Sequence, residues 1–177
     1  MQTGTAPRTA SITFHWQQDS DGLPASFFPD PENGRLRYWP GHGIRLDGGP
    51  LVIFLYRVIT TPGQGLGFAN AGFAAVVIDD PDVPVATWKP RIVDAAPSTF
   101  DAVPATALVE DGSYVVGLAI RQDGAHAGAL VRYPAAALAK GDISRAEWWG
   151  GDARGWVSAS ALGSGGPAFV MDDAGAE

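Results

Sequence analysis

The 177-residue chain contains no cysteine. Disulfides, thiolate metal sites and cysteine nucleophiles are therefore excluded. Charge is also scarce, with Asp, Glu, Lys and Arg together at 18%. The charge present leans acidic: 12 Lys and Arg against 19 Asp and Glu, a formal net charge of −7. There is no basic stripe, the usual footprint of a nucleic-acid binder, and an acidic chain repels phosphate. No nucleic-acid partner is expected. The longest apolar stretches, Leu51–Tyr56 and Phe68–Ile78, fall well short of the roughly 20 residues a spanning helix needs. No membrane partner is expected either. Met1 is followed by Gln2-Thr3-Gly4-Thr5-Ala6-Pro7, with no basic opening and no apolar run, and does not read as a signal peptide. The compartment stays open, an extracellular or periplasmic one being favoured only if a longer chain carries a leader. No Gly-x-Ser-x-Gly elbow, His-Glu-x-x-His helix or phosphate-binding loop occurs. No cofactor and no metal are expected.

What is present is a globular composition, 46% hydrophobic, with 23 Gly and 14 Pro. Gly and Pro punctuate strands with turns, so the bias favours many short strands over long helices. Six Trp are many for this length. Trp serves both as core filler and as a platform for sugar rings, and composition does not separate the two uses.

Two segments read alike. Tyr38–Gly48 leads through Asp47-Gly48 into Leu51–Tyr56; Phe100–Gly112 leads through Asp111-Gly112 into Tyr114–Ile120. Asp-Gly between apolar runs marks a hairpin, because Gly accepts the positive φ of the turn. The likeness continues. Gly72–Ile78 and Gly128–Tyr133 read as third strands closed by Pro81 and Pro134. Fourth strands are expected around Thr87-Trp88-Lys89 and Glu147-Trp148-Trp149. A unit of roughly 60 residues with four antiparallel strands describes a propeller blade. Leu51–Tyr56 lacks alternation, which fits a strand buried on both faces, as between stacked blades. A β-sandwich is the alternative. Pro134–Lys140 reads as one or two helical turns decorating the surface.

The expected fold class is thus all-β: a β-propeller fragment of about two complete four-stranded blades plus partial ones, one region over residues 1–177. Blades span 36–99 and 100–155, with partial blades at 1–35 and 156–177. A strand is expected over Ser11–Gln17, an irregular loop over Gly22–Gly34, and the start of another blade over Trp156–Met171. Closed propellers need at least four blades. The chain therefore reads as a fragment whose partners include the missing blades of its own full-length chain. Isolated, it is expected to self-associate, aggregate or be only partly folded, and not to hydrolyse glycans.

Tyr38-Trp39-Pro40-Gly41-His42-Gly43, with Asp47-Gly48 and the apolar strand after it, resembles the second blade of an uncharacterised five-bladed propeller family. That family is similar in architecture to arabinanase, xylosidase and levansucrase glycosidases. Phe14-His15-Trp16 with Phe27-Phe28-Pro29 resembles the end of its first blade. Arg132-Tyr133-Pro134, Glu147–Gly151 and Gly155-Trp156 resemble the passage out of a third. The resemblance implies a glycan, or another small-molecule ligand, at the mouth of a central channel.

Glycoside cleavage needs two carboxyl groups flanking the bond, one of them protonated. The positions that fall at such a mouth are His42, Asp101 and Glu177. In the glycosidases resembled, an Asp follows the Trp-Pro of the second blade; here the neighbourhood reads Trp39-Pro40-Gly41-His42. His42 can shuttle a proton or sit as a turn histidine. Asp101 reads as a channel carboxylate or a strand-entry turn residue. Glu177 matches, by resemblance, an acid-type Glu. His42 and Asp101 are expected at one concave end. Trp39 is the candidate sugar platform, while Trp88, Trp148, Trp149 and Trp156 read as core. Asp79-Asp80-Pro81-Asp82 reads as a solvated acidic loop and Gly63–Gly67 as a hairpin connection. Two function classes stay open: a glycoside-hydrolase-like enzyme, and a non-catalytic carbohydrate- or ligand-binding propeller. A third possibility is an inactive piece.

Overall fold

The computed structural model describes residues 13–29, 32, 34–63, 65–96, 100, 102–122 and 127–171. They form antiparallel sheets with only single-turn helices, an all-β chain. A short hairpin, β1 (Gln17–Gln18) with β2 (Pro24–Ala25), comes first. The first large sheet runs in chain order: β3 (Leu36–Arg45), β4 (Leu51–Thr60), β5 (Phe68–Ile78) and β6 (Arg91–Asp94). The second repeats that order with β7 (Ala102–Asp111), β8 (Tyr114–Arg121), β9 (Gly128–Pro134), β10 (Glu147–Trp149) and β11 (Trp156–Ser158). β12 (Phe169–Met171) shares the outer edge of β9 with β10, pairing at Ala129 and Gly128 while β10 pairs at Arg132 and Val131.

Both Asp-Gly turns close hairpins, and the two hairpins lie in different sheets. In the second, Gly112 (φ 58°) follows Asp111, which pairs with Tyr114. Positive φ at the first turn position matches the twist of the strands. In the first, Leu46 N–H donates to the Pro50 carbonyl, closing a three-residue loop. Each first strand is also bulged. Pro40 and Gly43 of β3 face Leu55 and Ile53, and Val103 and Ala107 of β7 face Ile120 and Leu118. A bulge bends its strand and re-aims side chains.

Counting from the closing pair of each hairpin, Val52 and Phe54 of β4 correspond to Val116 and Leu118 of β8. The Val52–Phe54 face of the first sheet packs on the second sheet in the main core. The face it meets carries Val115, Ala119, Val131 and Tyr133, the opposite parity. The sheets therefore stack front to back. The rear of the first sheet, Leu55, Ala74 and Val76, is buried under Phe27 and Phe28. β4 is thus covered on both sides, as its unbroken apolar run requires.

Five expectations change. Among the described residues, the strand expected over 11–17 is present only at Gln17–Gln18; Thr13–Trp16 pair with nothing, and Phe14 and Trp16 face solvent. The loop over 22–34 contains β2. Trp88 lies before the fourth strand of the first sheet: Pro84 and Pro90 flank a 3₁₀ turn at Val85–Thr87, and pairing begins only at Arg91. The helical turn α1 (Ala135–Leu138) is core rather than decoration, since Leu138 is fully buried and Ala137 nearly so. Finally, Trp156–Ser158 and Phe169–Met171 join the second sheet instead of opening a new one.

Candidate functional site

Trp39 sits on the front face of β3, opposite Tyr56 of β4, which lies opposite Phe73 of β5. The first strands β3 and β7 match at 10 residues, but β4 and β5 have 10 and 11 where β8 and β9 have 8 and 7. The first sheet therefore overhangs the second at the end away from the Asp-Gly turns. The overhang leaves a cavity of about 410 Å³ lined by Trp39, Tyr56, Val58, Phe68, Asn70 and, from the second sheet, Gln122.

Its chemistry is aromatic and amide. Trp39 is 44% exposed and meets Phe68 edge to face, with ring centroids 4.8 Å apart. Asn70 Oδ1 accepts the Gly72 N–H at 2.8 Å, which fixes the amide orientation. Asn70 Nδ2 is then a buried donor with no hydrogen-bond partner. Gln122 donates through Nε2 to the Ile120 carbonyl at 3.0 Å, so its oxygen is an acceptor at the opposite wall. A flat aromatic face takes the apolar side of a ring, and amides fix its polar groups.

Of the residues expected to carry chemistry, Trp39 lines this cavity. His42 lies in the β3 bulge, exposed, three residues beyond Trp39 and not part of the lining. Asp101 and Glu177 lie outside the described residues. Phe100 and Ala102, the neighbours of Asp101, line a smaller cavity of about 270 Å³ with Arg121 and Phe169. Arg121 stands over the Phe169 ring there, 5.1 Å from its centroid. In β7 the bulge matching His42 falls between Val103 and Ala107. Sequence reasoning missed Tyr56, Phe68, Asn70 and Gln122. Two of them stand just beyond hairpin connections, and Gln122 comes from the other sheet.

The remaining Trp residues divide. Trp148 is core, with its ring edge-on to Phe100 at 4.7 Å, while Trp88, Trp149 and Trp156 are half-buried. The acidic loop is tied by cations. Arg45 holds Asp82 through two hydrogen bonds of 2.6 Å, and Arg91 meets Asp79 at 3.3 Å. The Arg45 hydrogen bonds keep the Asp82 carboxyl below its ordinary range. No cluster able to hold a metal ion occurs among the described residues. No described helix is long and apolar enough to cross a membrane.

A larger cavity of about 530 Å³ opens between the outer strands of the two sheets, with Phe73, Ile143 and Trp148 beneath Asp94, Asp142 and Ser160. Its polar groups are already engaged. Tyr38 Oη donates to Asp94 at 3.2 Å, and Asp142 accepts from Ser144.

No protein-family description matches the chain, and neither does any curated protein.

Proposed function

We propose that this chain is a non-catalytic carbohydrate-binding piece of a β-propeller, with its glycan site in the cleft between Trp39 and Gln122. The observation that carries the reading is the pairing of an exposed Trp39–Phe68 platform with the Asn70 and Gln122 amides in one cavity. A sugar presents an apolar ring face and a rim of hydroxyls, which is the complement of that lining. The propeller reading draws support from two four-stranded meanders in the same order, repeating at roughly 60 residues and stacked front to back. A closed ring takes at least four blades, so further blades are the partners this reading requires. The short motifs around Tyr38–Gly43, which resemble a five-bladed glycosidase-like family, point to the same class of ligand. Binding is preferred to hydrolysis because the described lining holds aromatics and amides and no carboxylate.

The test is calorimetric titration with neutral arabino-, xylo- and fructo-oligosaccharides, alongside an aryl-glycoside hydrolysis screen. Saturable binding that Trp39→Ala weakens at least tenfold, with no turnover, is the expected result. Absence of binding to the whole panel, or equal binding by the variant, refutes the site. Turnover refutes the non-catalytic assignment.

A further inference from the structure

The outer strands of both sheets are short: β6 has four residues, β10 and β11 three each. Between them opens the cavity of about 530 Å³. Its floor comes from both sheets. Phe73, Val93 and Ala95 belong to the first and Ile143, Ala146 and Trp148 to the second, all of them in the main core or packed against it. The volume lies in the range of small-ligand sites, which are mostly apolar with a few polar groups at fixed places. The cavity shares no described lining residue with the Trp39 cleft.

Its polar side chains stand at the rim given by the second sheet: Asp142, Ser144, Ser158 and Ser160. Asp94 adds no second carboxylate. It lies opposite Ala74, on the rear of the first sheet, where its Oδ1 is held by Tyr38 at 3.2 Å and Arg57 at 3.5 Å. The bonds within the rim spend donors rather than acceptors. Ser144 donates both its N–H and its hydroxyl to Asp142 Oδ1, at 3.2 and 2.6 Å. One of the Ser158 and Ser160 hydroxyls donates to the other at 3.0 Å. Asp142 Oδ2 accepts from no described residue, and the hydroxyl oxygens keep lone pairs. No Lys, Arg or His is among the described lining residues. Arg91, behind Gly141, is committed to the Lys140 carbonyl at 3.0 Å and to Asp79 at 3.3 Å. An acceptor-rich rim with one carboxylate and no cation is the complement of an ammonium group, which has three donors and no acceptor.

We propose that this cavity binds a primary amine carrying an apolar ring or branched chain, its body over Phe73 and Ile143 and its ammonium on Asp142. Such a ligand touches both sheets and ties them together. The inference uses no residue of the Trp39 cleft and stands whether or not that cleft binds a glycan.

Calorimetric titration of the full chain at neutral pH tests it with three probes: 2-phenylethylamine; 3-phenylpropionate, with the same ring and the opposite charge; and methylamine, with the charge and no body. Saturable one-to-one binding of phenylethylamine is expected, the other two binding at least about tenfold more weakly. Asp142→Asn and Ser160→Trp are the variants. Asn still caps the turn that Asp142 caps, and Ser160 is exposed, so both keep the fold, which far-ultraviolet circular dichroism checks. Asp142→Asn is expected to weaken phenylethylamine about tenfold, through loss of a charge-assisted hydrogen bond. Ser160→Trp is expected to fill the mouth and abolish binding. Phenylethylamine is also expected to raise the melting temperature of the wild type and not that of Ser160→Trp. No saturable binding of phenylethylamine by the wild type overturns the proposal. Equal binding of phenylpropionate overturns it too, since the site is then apolar without a choice of charge. Either variant binding like wild type places the amine elsewhere and overturns it as well.

Discussion

Gly41 of β3 lies directly on Ala105 of β7. A β-carbon added at Gly41 would stand 2.5 Å from the Ala105 carbonyl oxygen and 2.6 Å from its β-carbon. The two bulged first strands touch here, backbone to backbone, and only a residue without a side chain permits it. Gly41→Ala forces the sheets apart or distorts both bulges. Overpacking of this kind costs about 1–3 kcal/mol. Urea denaturation of the variant should show a midpoint lowered accordingly, and an unchanged midpoint would mean that the strands do not meet.

Tyr133 is fully buried beside Phe54, with ring centroids 5.4 Å apart, and its hydroxyl has no hydrogen-bond partner. Burial pushes its pKa up. A raised folded pKa gives stability that is complete below the unfolded value and lost as pH rises above it. Wild type should therefore lose stability above about pH 10. Tyr133→Phe removes both the orphan hydroxyl and that slope. It should be neutral or stabilising by about 1 kcal/mol at neutral pH. Thermal melts of both proteins across the alkaline range measure this, and marked destabilisation at neutral pH would show that the hydroxyl has a partner.

Leu138 belongs to the single helical turn between β9 and β10 and is fully buried in the core. Leu138→Ala removes buried methyl groups and leaves a cavity, a loss of about 2–5 kcal/mol. Ala136, on the same turn and exposed, should accept Ser with a change within about 0.5 kcal/mol. Equal effects at both positions would return the turn to the surface.

Asp82 accepts two hydrogen bonds from Arg45. Its carboxyl is held below the ordinary range, chiefly by those bonds. A depressed folded pKa gives stability that is present above the unfolded value and lost as pH falls through the folded one. Asp82→Asn should lower the denaturation midpoint slightly at neutral pH, and the difference should vanish in acid. A difference that grows in acid contradicts the pairing.

The repeat was legible because turns are local. Asp47-Gly48 and Asp111-Gly112 each declare a hairpin from two residues, and the apolar run of β4 declares two covered faces. Trp88 misled because a large aromatic marks burial, not pairing. Pro84 and Pro90 delay the strand to Arg91, and the pairing partner is set by β5. Leu138 misled because a short Ala-rich turn carries no period long enough to show which side is buried. Trp39 was readable as a candidate sugar platform from its place beside Pro40-Gly41-His42; its exposure and the bulge next to it belong to the structure. Asn70 and Gln122 were not, because the cleft arises from a difference in length between two sheets, and no single segment contains that difference.

Each large sheet is a meander in which every strand lies beside the one just before it in the chain, apart from β12. The first sheet therefore needs nothing from the second to complete its pairing. During synthesis β3–β6 can close while β7 is still in the ribosome, and their front face then serves as a surface on which the second sheet condenses. Local pairing keeps the entropy of loop closure small and folding correspondingly fast. β12 is the exception, since it must return past β10 and β11 to reach Ala129. Among the described strands of that sheet it closes the longest loop, so the entropy cost of its docking on β9 exceeds that of any neighbouring pair.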